Sequence, residues 1–194
     1  MPSKNVIKRY ESGAYYHVYN RGVDKCVIFR EEKDYKTFLS FLKIYLTPQG
    51  ESLKKPPSRI LKNYFEEIEL LCYCLMPNHF HILIKQNSER AIDHFLRSLS
   101  TKYVRYFNTR YKRIGPLFQG PYKAVNITSE YQFIYLSKYI HRNPLSLSPY
   151  KDSPRRLKEY SYSSYGNYLF NFTSMDPTHN YTFIFFTYAC TAFL

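Results

Sequence analysis

Short apolar runs bounded by turn residues predict the strands of this chain. Residues 14–20, AYYHVYN, are rich in the aromatic and β-branched residues typical of strands, and residues 26–29 are expected to add a short extension. Two longer apolar runs, 66–76 and 79–85, are separated only by a Pro-Asn pair and therefore predict a hairpin. A shorter run at 122–127 predicts the last strand.

Apolar residues that recur at three- and four-residue steps predict three helices. These extend from Glu31 to about Leu46, from about Glu89 to Arg110, and from Glu130 to Arg142. Acidic residues in the first turn suit the positive end of the first helix dipole. Ser129 and Gln132 have the spacing of a capping box at the start of the third helix.

The order strand, helix, strand, strand, helix, strand, helix indicates the α+β class. We expect a ferredoxin-like or RRM-like antiparallel sheet with helices packed on it. The chain of 194 residues is long enough for one core, which we assign to a domain at 1–170.

Residues 47–65 are polar and predict an exposed connector. Residues 171–194 form an atypical hydrophobic tail, too short to span a membrane, whose role the sequence does not reveal.

The composition points to a polyanionic partner. The formal net charge is +13, and nucleic acid is the leading candidate. The 22 tyrosines and 15 phenylalanines suit base stacking as well as an ordinary core. Five basic residues are candidate DNA contacts, with ordinary surface charge as the alternative for each: Arg21, Arg105, Lys112, Arg113 and Lys123.

Cysteine usage and hydropathy bound the location. The four cysteines lack the spacing of a disulfide framework, and the N-terminus has no secretory signal, so a cytoplasmic location is expected. No apolar run approaches the roughly 20 residues that a membrane span needs.

The predicted hairpin and the last helix together carry candidate chemistry. Side chains alternate along a strand, so His79 and His81 lie on one face, where a buried hydrogen-bonded pair is the alternative to a metal site. Tyr139 and Asn143 are four residues apart and share one seam of the last helix, whereas His141 points elsewhere and is interpreted as structural. Two imidazoles and one amide oxygen, with water completing the shell, suit Mg²⁺ or Mn²⁺ better than a closed zinc site.

A zinc site is the alternative reading of the same hairpin. If the Pro-Asn turn is tight, Cys74 lies opposite His81 and Cys72 shares its face, which would permit a Cys₂His₂ set. The C-x-C spacing is unusual for structural zinc, and both cysteines also fit the role of small buried hydrophobes.

Four segments, YYHVYNRG, CLMPNHFHILIK, GPLFQGPYK and YLSKYIHRNP, occur in this order. With them, about residues 8–169 resemble the single-tyrosine HUH transposases of small insertion sequences, and most closely the REP-associated tyrosine transposases. The resemblance implies that His79 and His81 bind the metal, that Asn143 is the third ligand, and that Tyr139 is the nucleophile. It also implies cleavage and rejoining of hairpin-containing single-stranded DNA through a 5′-phosphotyrosine, and a homodimer in which one subunit often completes the site of the other.

Two further alternatives stay open. A non-catalytic RRM-like nucleic-acid-binding module has the same sheet, although no RNP-like run of the K/R-G-F/Y-G/A-F type is present. An inactive, degraded transposase is the other alternative. The composition changes abruptly after about Leu169, which indicates either a divergent extension or a disrupted reading frame, and we prefer the second interpretation.

Overall fold

A four-stranded sheet organises the chain. The computed structural model describes residues 10–48, 62–151 and 153–173, so part of the predicted connector and the predicted tail from residue 174 lie outside the described residues. The strands and helices are β1 Tyr15–Arg21, α1 Glu32–Leu46, β2 Ile68–Met76, β3 His79–Gln86, α2 Ala91–Tyr111, β4 Lys123–Ile127, α3 Glu130–Arg142 and α4 Tyr165–Thr173. Short 3-10 helices lie at Val23–Lys25, Asn143–Ser146 and Pro154–Glu159.

The strands lie in the order β2-β3-β1-β4, and each neighbouring pair is antiparallel. With the helices between them, β1 to β4 form the β-α-β-β-α-β arrangement of ferredoxin-like folds, and the predicted α+β class is confirmed. The hairpin register places Met76 opposite His79 and Cys74 opposite His81. Through the other edge of β3, Arg21 at the end of β1 lies opposite His79.

Both faces of the sheet are covered. One face packs on α1 and α2 through a core that includes Val18, Phe80, Phe38 and Phe95. The other face carries a smaller core, in which Ile140 of α3 is clustered with apolar residues of β2, β3 and β4. Because successive side chains of a strand point to opposite faces, His79 and His81 lie on the α3 side while Phe80 lies on the α1 and α2 side.

The expected strand extension at 26–29 is wrong. The backbone N–H groups of Ile28 and Phe29 both donate to the carbonyl oxygen of Pro77, at 2.8 Å and 3.0 Å. These residues therefore pack under the hairpin turn as a loop, because their N–H groups donate to that single carbonyl and the Ile28 carbonyl accepts from the Tyr103 hydroxyl, so that no strand ladder forms.

The predicted capping pair, Ser129 and Gln132, is present at the start of α3, but Gln132 bonds to a different backbone group than in a capping box. Ser129 Oγ accepts a hydrogen bond from Gln132 N at 3.2 Å, as a helix N-cap does. The Gln132 side chain, however, accepts from the backbone N–H of Thr128 at 3.0 Å, one residue before the cap. Both bonds fix the direction in which α3 leaves β4.

The segment that follows α3 returns to the outer edge of β2. Leu75 N donates to Tyr162 O at 2.9 Å, and Ser164 N donates to Tyr73 O at 3.1 Å. This pairing satisfies part of an edge strand that would otherwise expose its backbone groups. The last described helix, α4, crosses the boundary at residue 170 that the sequence suggested. Across the part of the chain that the structure describes, no helix is long and apolar enough to cross a membrane.

Candidate active site

His79 and His81 form the floor of the candidate site. Both belong to β3, and His79 comes directly after the hairpin turn. The rings lie with centroids 5.0 Å apart at an interplanar angle of 89°. His81 is buried and His79 is half-buried, so the pair is set in the sheet with its outer member reachable from solvent.

One nitrogen of each imidazole is held by a neighbour. His81 Nδ1 lies 2.8 Å from His17 Nε2, and His79 Nδ1 lies 2.6 Å from Asn78 Oδ1. In each ring the Nε2 atom is therefore the one left for a further ligand. Hydrogen bonds to the second nitrogen orient metal-binding histidines in this way.

Burial keeps these imidazoles neutral. It is the main cause that lowers the pKa of His81 to about 3, with smaller contributions from His17 and His79. Burial also lowers the pKa of His79, while a side-chain hydrogen bond with Asn143 acts in the opposite direction. Only neutral imidazole can bind a metal ion, so both rings are in the required state at pH 7.

Helix α3 brings Tyr139 and Asn143 over this floor. The Tyr139 ring centroid lies 5.6 Å from that of His81, in an edge-on arrangement, and the side chain remains 46% exposed. The amide nitrogen of Asn143 donates to Tyr139 O at 2.9 Å and to Ile140 O at 3.3 Å. Its amide oxygen takes no part in these two bonds and is left for a further ligand, and the Asn143 side chain is close enough to His79 to affect the pKa of that ring. One chain alone brings all four predicted residues together.

The donor set fits a hard divalent cation. The residues that would hold it are His79 and His81 through Nε2, and Asn143 through its amide oxygen, with the remaining positions left for water or a phosphate oxygen. In the described ranges, no group of three or more His, Cys, Asp or Glu side chains could hold a metal ion. A site here therefore depends on the contribution of Asn143.

The zinc alternative is wrong, because the described residues contain no suitable cluster of Cys and His side chains. The register does place Cys74 opposite His81, as a tight turn requires. Both Cys72 and Cys74 are nevertheless packed in the smaller core, where burial raises the pKa of each thiol far above its ordinary value. Zinc binds thiolates, and no Cys and His cluster of the required size exists in the described chain.

The five candidate DNA contacts separate into two groups. Arg21 lies opposite His79, and Lys123 Nζ lies 5.9 Å from the ring centroid of Tyr19, so both flank the site. Arg105 is exposed on α2, and Lys112 and Arg113 follow at the end of that helix, on the layer beyond the other face of the sheet. Arg113 donates to Asn108 Oδ1 and Pro116 O, both at 3.4 Å, which indicates a part in shaping its own turn.

Sequence reasoning missed two members of the site, His17 and Tyr19. The His17 ring stacks on Tyr19 with centroids 4.9 Å apart and on His81 at 5.0 Å. Alternation along β1 was the available signal, because it puts both side chains on one face. What the sequence does not show is that β1 pairs with β3 and so lies beside the His pair.

His141 does not contribute to this cluster. It is buried, and its Nε2 lies 2.9 Å from Ser164 Oγ. Its ring contacts those of Tyr165 and Tyr168, with centroids 5.5 Å and 4.8 Å away.

Comparisons with known proteins give a family and a fold for the chain. The family model described as "Transposase IS200 like" matches residues 47–143, half of the chain. Among solved structures, the REP-associated tyrosine transposase bound to a REP hairpin matches with a TM-score of 0.61 and 11% sequence identity, over 92% of this chain and 96% of that chain. A protein from Deinococcus radiodurans R1 described as a transposase matches with a TM-score of 0.43 and 15% identity, over 70% of this chain and 94% of that one. No curated protein matches the chain significantly.

Proposed function

Because the chain belongs to the family of IS200-like transposases, and is thereby a DNA transposase, we propose that it cleaves and rejoins single-stranded DNA through Tyr139. One observation carries the proposal: Tyr139 of α3 and Asn143, directly after that helix, lie close to His81 and His79 of β3 within a single chain. A nucleophile and a cation site are thus adjacent, and the tyrosine is exposed to an incoming strand.

In the proposed reaction the Tyr139 oxygen attacks the scissile phosphorus. The phenol loses its proton to solvent and an O–P bond forms. The bond to the 3′-oxygen breaks as that oxygen takes up a proton from solvent, leaving a 5′-phosphotyrosine and a free 3′-hydroxyl. Attack by another 3′-hydroxyl reverses these changes and joins the strands. The covalent link conserves the energy of the phosphodiester, so the reaction needs no nucleotide cofactor.

His79, His81 and Asn143 are proposed to hold Mg²⁺ or Mn²⁺ beside this tyrosine. When bound, the ion supplies positive charge that stabilises the phosphate oxygens and favours loss of the phenol proton. The protein contributes the orientation: Asn78 and His17 fix the rings, and the backbone carbonyls at Tyr139 and Ile140 fix the Asn143 amide.

Hairpin-containing single-stranded DNA is the proposed substrate. The net charge of +13 and the basic residues that flank the site support a polyanion, and the REP-associated transposase of matching fold is bound to a REP hairpin. Arg21 and Lys123 are proposed to contact the strand near the scissile phosphate. Arg105, Lys112 and Arg113 lie on another layer and would meet a more distant part of the DNA.

Assembly is a separate matter from catalysis. Since Tyr139 lies over the His pair of its own chain, we propose that one subunit completes its own active site. A homodimer remains an expectation, but this geometry does not require a second subunit for the chemistry.

The test is covalent capture. Purified protein is incubated with Mn²⁺ and 3′-labelled single-stranded hairpin DNA, because the 5′-phosphotyrosine keeps the 3′ fragment, and a denaturing gel is examined for a protein–DNA adduct. We expect the adduct with the native chain, its loss in Tyr139→Phe, and its retention in Tyr135→Phe, the matched control one helical turn away. An adduct that persists in Tyr139→Phe would contradict the assignment of the nucleophile.

The binding-only alternative predicts DNA affinity without any adduct. Among the described residues, α3 packs on one sheet face and α1 and α2 on the other, whereas RRM domains bind RNA on an open aromatic face. An inactive, degraded transposase predicts that neither Mn²⁺ nor Mg²⁺ supports the adduct, although the residues of the site are all present.

A further inference from the structure

The solvent-facing side of α3 has an unusual composition. Amphipathic helices normally expose charged and polar residues. Here the exposed positions after Glu130, the exposed first residue of the helix, are Tyr131, Ile134, Tyr135, Lys138, Tyr139 and Arg142. Tyr131 is 80% exposed and Tyr135 is 63% exposed, and in the described part of the chain neither ring has a hydrogen-bond or aromatic partner. This face therefore presents rings to solvent that the fold itself does not use.

We propose that Tyr131 and Tyr135 form a stacking track that holds the bases of single-stranded DNA beside the nucleophile. The proposal rests on the proposed function, because it assigns a binding surface to the same reaction. Tyr131, Tyr135 and Tyr139 follow one another at four-residue steps, and their exposure decreases towards the site. The track therefore leads directly to the reacting hydroxyl.

The spacing of the track suits unpaired bases. Four residues of α-helix rise about 6 Å, which is close to two stacking steps of about 3.4 Å. One base can therefore lie between successive rings, so that the track accommodates about two nucleotides next to the scissile phosphate. Bases within a duplex are already stacked on each other, and they cannot use such rings.

The charge of this segment favours a nucleic acid over a second protein surface. No acidic residue occurs from Tyr131 to Lys151, while Lys138 and Arg142 are exposed on the same side of the helix as the tyrosines. Lys123 on the adjacent strand adds another cation near the site. Alternating rings and cations are the pattern of surfaces that bind single strands without regard to sequence. A second copy of this basic chain would have to overcome repulsion between like charges.

Affinity measurements test the track independently of the chemistry. In a Tyr139→Phe background, fluorescence anisotropy gives the Kd for labelled oligodeoxythymidine of about 12 nucleotides, within the usual site sizes of such surfaces. Tyr131→Leu and Tyr135→Leu should each weaken binding by about tenfold, whereas Tyr135→Phe should stay within about twofold because a ring remains. Ile44→Ala, on the exposed side of α1 in the opposite layer, should leave the Kd unchanged.

A single fluorophore locates the contact. The chain contains no tryptophan, so Tyr135→Trp introduces the only one. Its emission should be quenched by the oligodeoxythymidine and not by a blunt duplex of equal length, and the emission of the Ile44→Trp control should respond to neither. Unchanged emission of Tyr135→Trp at saturating single-stranded DNA would overturn the proposal, as would leucine variants that bind as tightly as their parent.

The outcomes separate this inference from the proposed function. If the native chain forms the Tyr139 adduct but the track variants bind normally, the track is wrong and the function stands. If the leucine variants weaken binding but no adduct forms, the track stands and the proposed chemistry fails. If the leucine variants lower the mass seen in sedimentation equilibrium and not the DNA affinity, α3 contacts a second copy and the track is wrong.

Discussion

His17 Nε2 lies 2.8 Å from His81 Nδ1, and this contact joins β1 to the metal platform of β3. The contact occupies Nδ1 of His81 and leaves Nε2 for the cation. His17 is itself buried, and burial lowers its pKa to about 4, so the contact is made between two neutral rings. A partner of this kind fixes both the tautomer and the direction of a metal ligand.

We therefore predict that His17→Phe weakens Mn²⁺ binding by about 10- to 100-fold, because loss of the orienting bond usually costs this much. His17→Gln, which can still exchange a hydrogen bond, should lie between the native chain and His17→Phe. Titration with Mn²⁺ followed by electron paramagnetic resonance measures the free ion. Equal affinities in all three proteins would show that His81 needs no such partner.

Asn143 is the residue on which the cation site depends. Asn143→Ala should lower the affinity for Mn²⁺ and should reduce adduct formation most at limiting metal, with partial recovery at high Mn²⁺. Asn143→Asp keeps an oxygen donor at the same place and adds a charge, so it should retain the metal. Asn126→Ala, on β4, is the matched amide control. An adduct yield in Asn143→Ala that equals the native yield at every Mn²⁺ concentration would remove Asn143 from the site.

The sequence predicts features that depend on neighbouring residues better than features that depend on residues far apart along the chain. The bounds of α3, from Glu130 to Arg142, were predicted correctly because the capping pair and the apolar spacing are local signals. The seam of Tyr139 and Asn143 follows from helix geometry alone. The partnership of His17 with His81 depends on strand pairing across 64 positions of sequence, and no local pattern encodes it. The return of the chain from α3 to the edge of β2 was missed for the same reason.

Asp34 offers a test of the packing between α1 and α2. This carboxylate is fully buried and accepts hydrogen bonds from Tyr106 at 2.9 Å, from Tyr111 at 2.7 Å and from Arg30 N at 2.8 Å, so it ties the start of α1 to the end of α2. Asp34→Ala leaves these donors without their acceptor and should lower the free energy of unfolding by about 3 kcal/mol. Urea denaturation measures the change.

Glu32→Gln is the control for that variant. Its ion pair with Lys36 is exposed on both sides, and such pairs contribute less than about 1 kcal/mol. A similar loss of stability in both variants would mean that the buried carboxylate has no special part in holding the two helices together.

Stability at alkaline pH should fall because of buried phenols. Burial is the largest cause that raises the pKa of Tyr35 and of Tyr73 to about 12. In the unfolded chain each phenol ionises near pH 10, so between about pH 10 and 12 the unfolded state has lost protons that the folded state keeps. The free energy of unfolding is therefore fully retained below pH 10 and should decrease above it by about 1.4 kcal/mol per pH unit for each group. Tyr35→Phe and Tyr73→Phe should each reduce this slope, and a flat profile up to pH 12 would contradict the prediction.

Ser164 connects the nucleophile helix to the edge of the sheet. Its hydroxyl lies 2.9 Å from His141 Nε2 on α3 and accepts from Tyr73 N on β2 at 2.9 Å. His141 lies two positions from Tyr139 and two from Asn143 along the chain. Loss of the hydrogen bond between Ser164 and His141 should therefore let α3 shift over His79 and His81. Ser164→Ala should lower the yield of the Tyr139 adduct by about tenfold or more, since small displacements of reacting groups are costly. The loss in free energy of unfolding should be only about 1 kcal/mol.

Ser164→Thr, which keeps the hydroxyl, should restore the adduct, and Ser163→Ala serves as the neighbouring control. If adduct yield falls only in step with the fraction unfolded, Ser164 stabilises the fold without positioning the nucleophile.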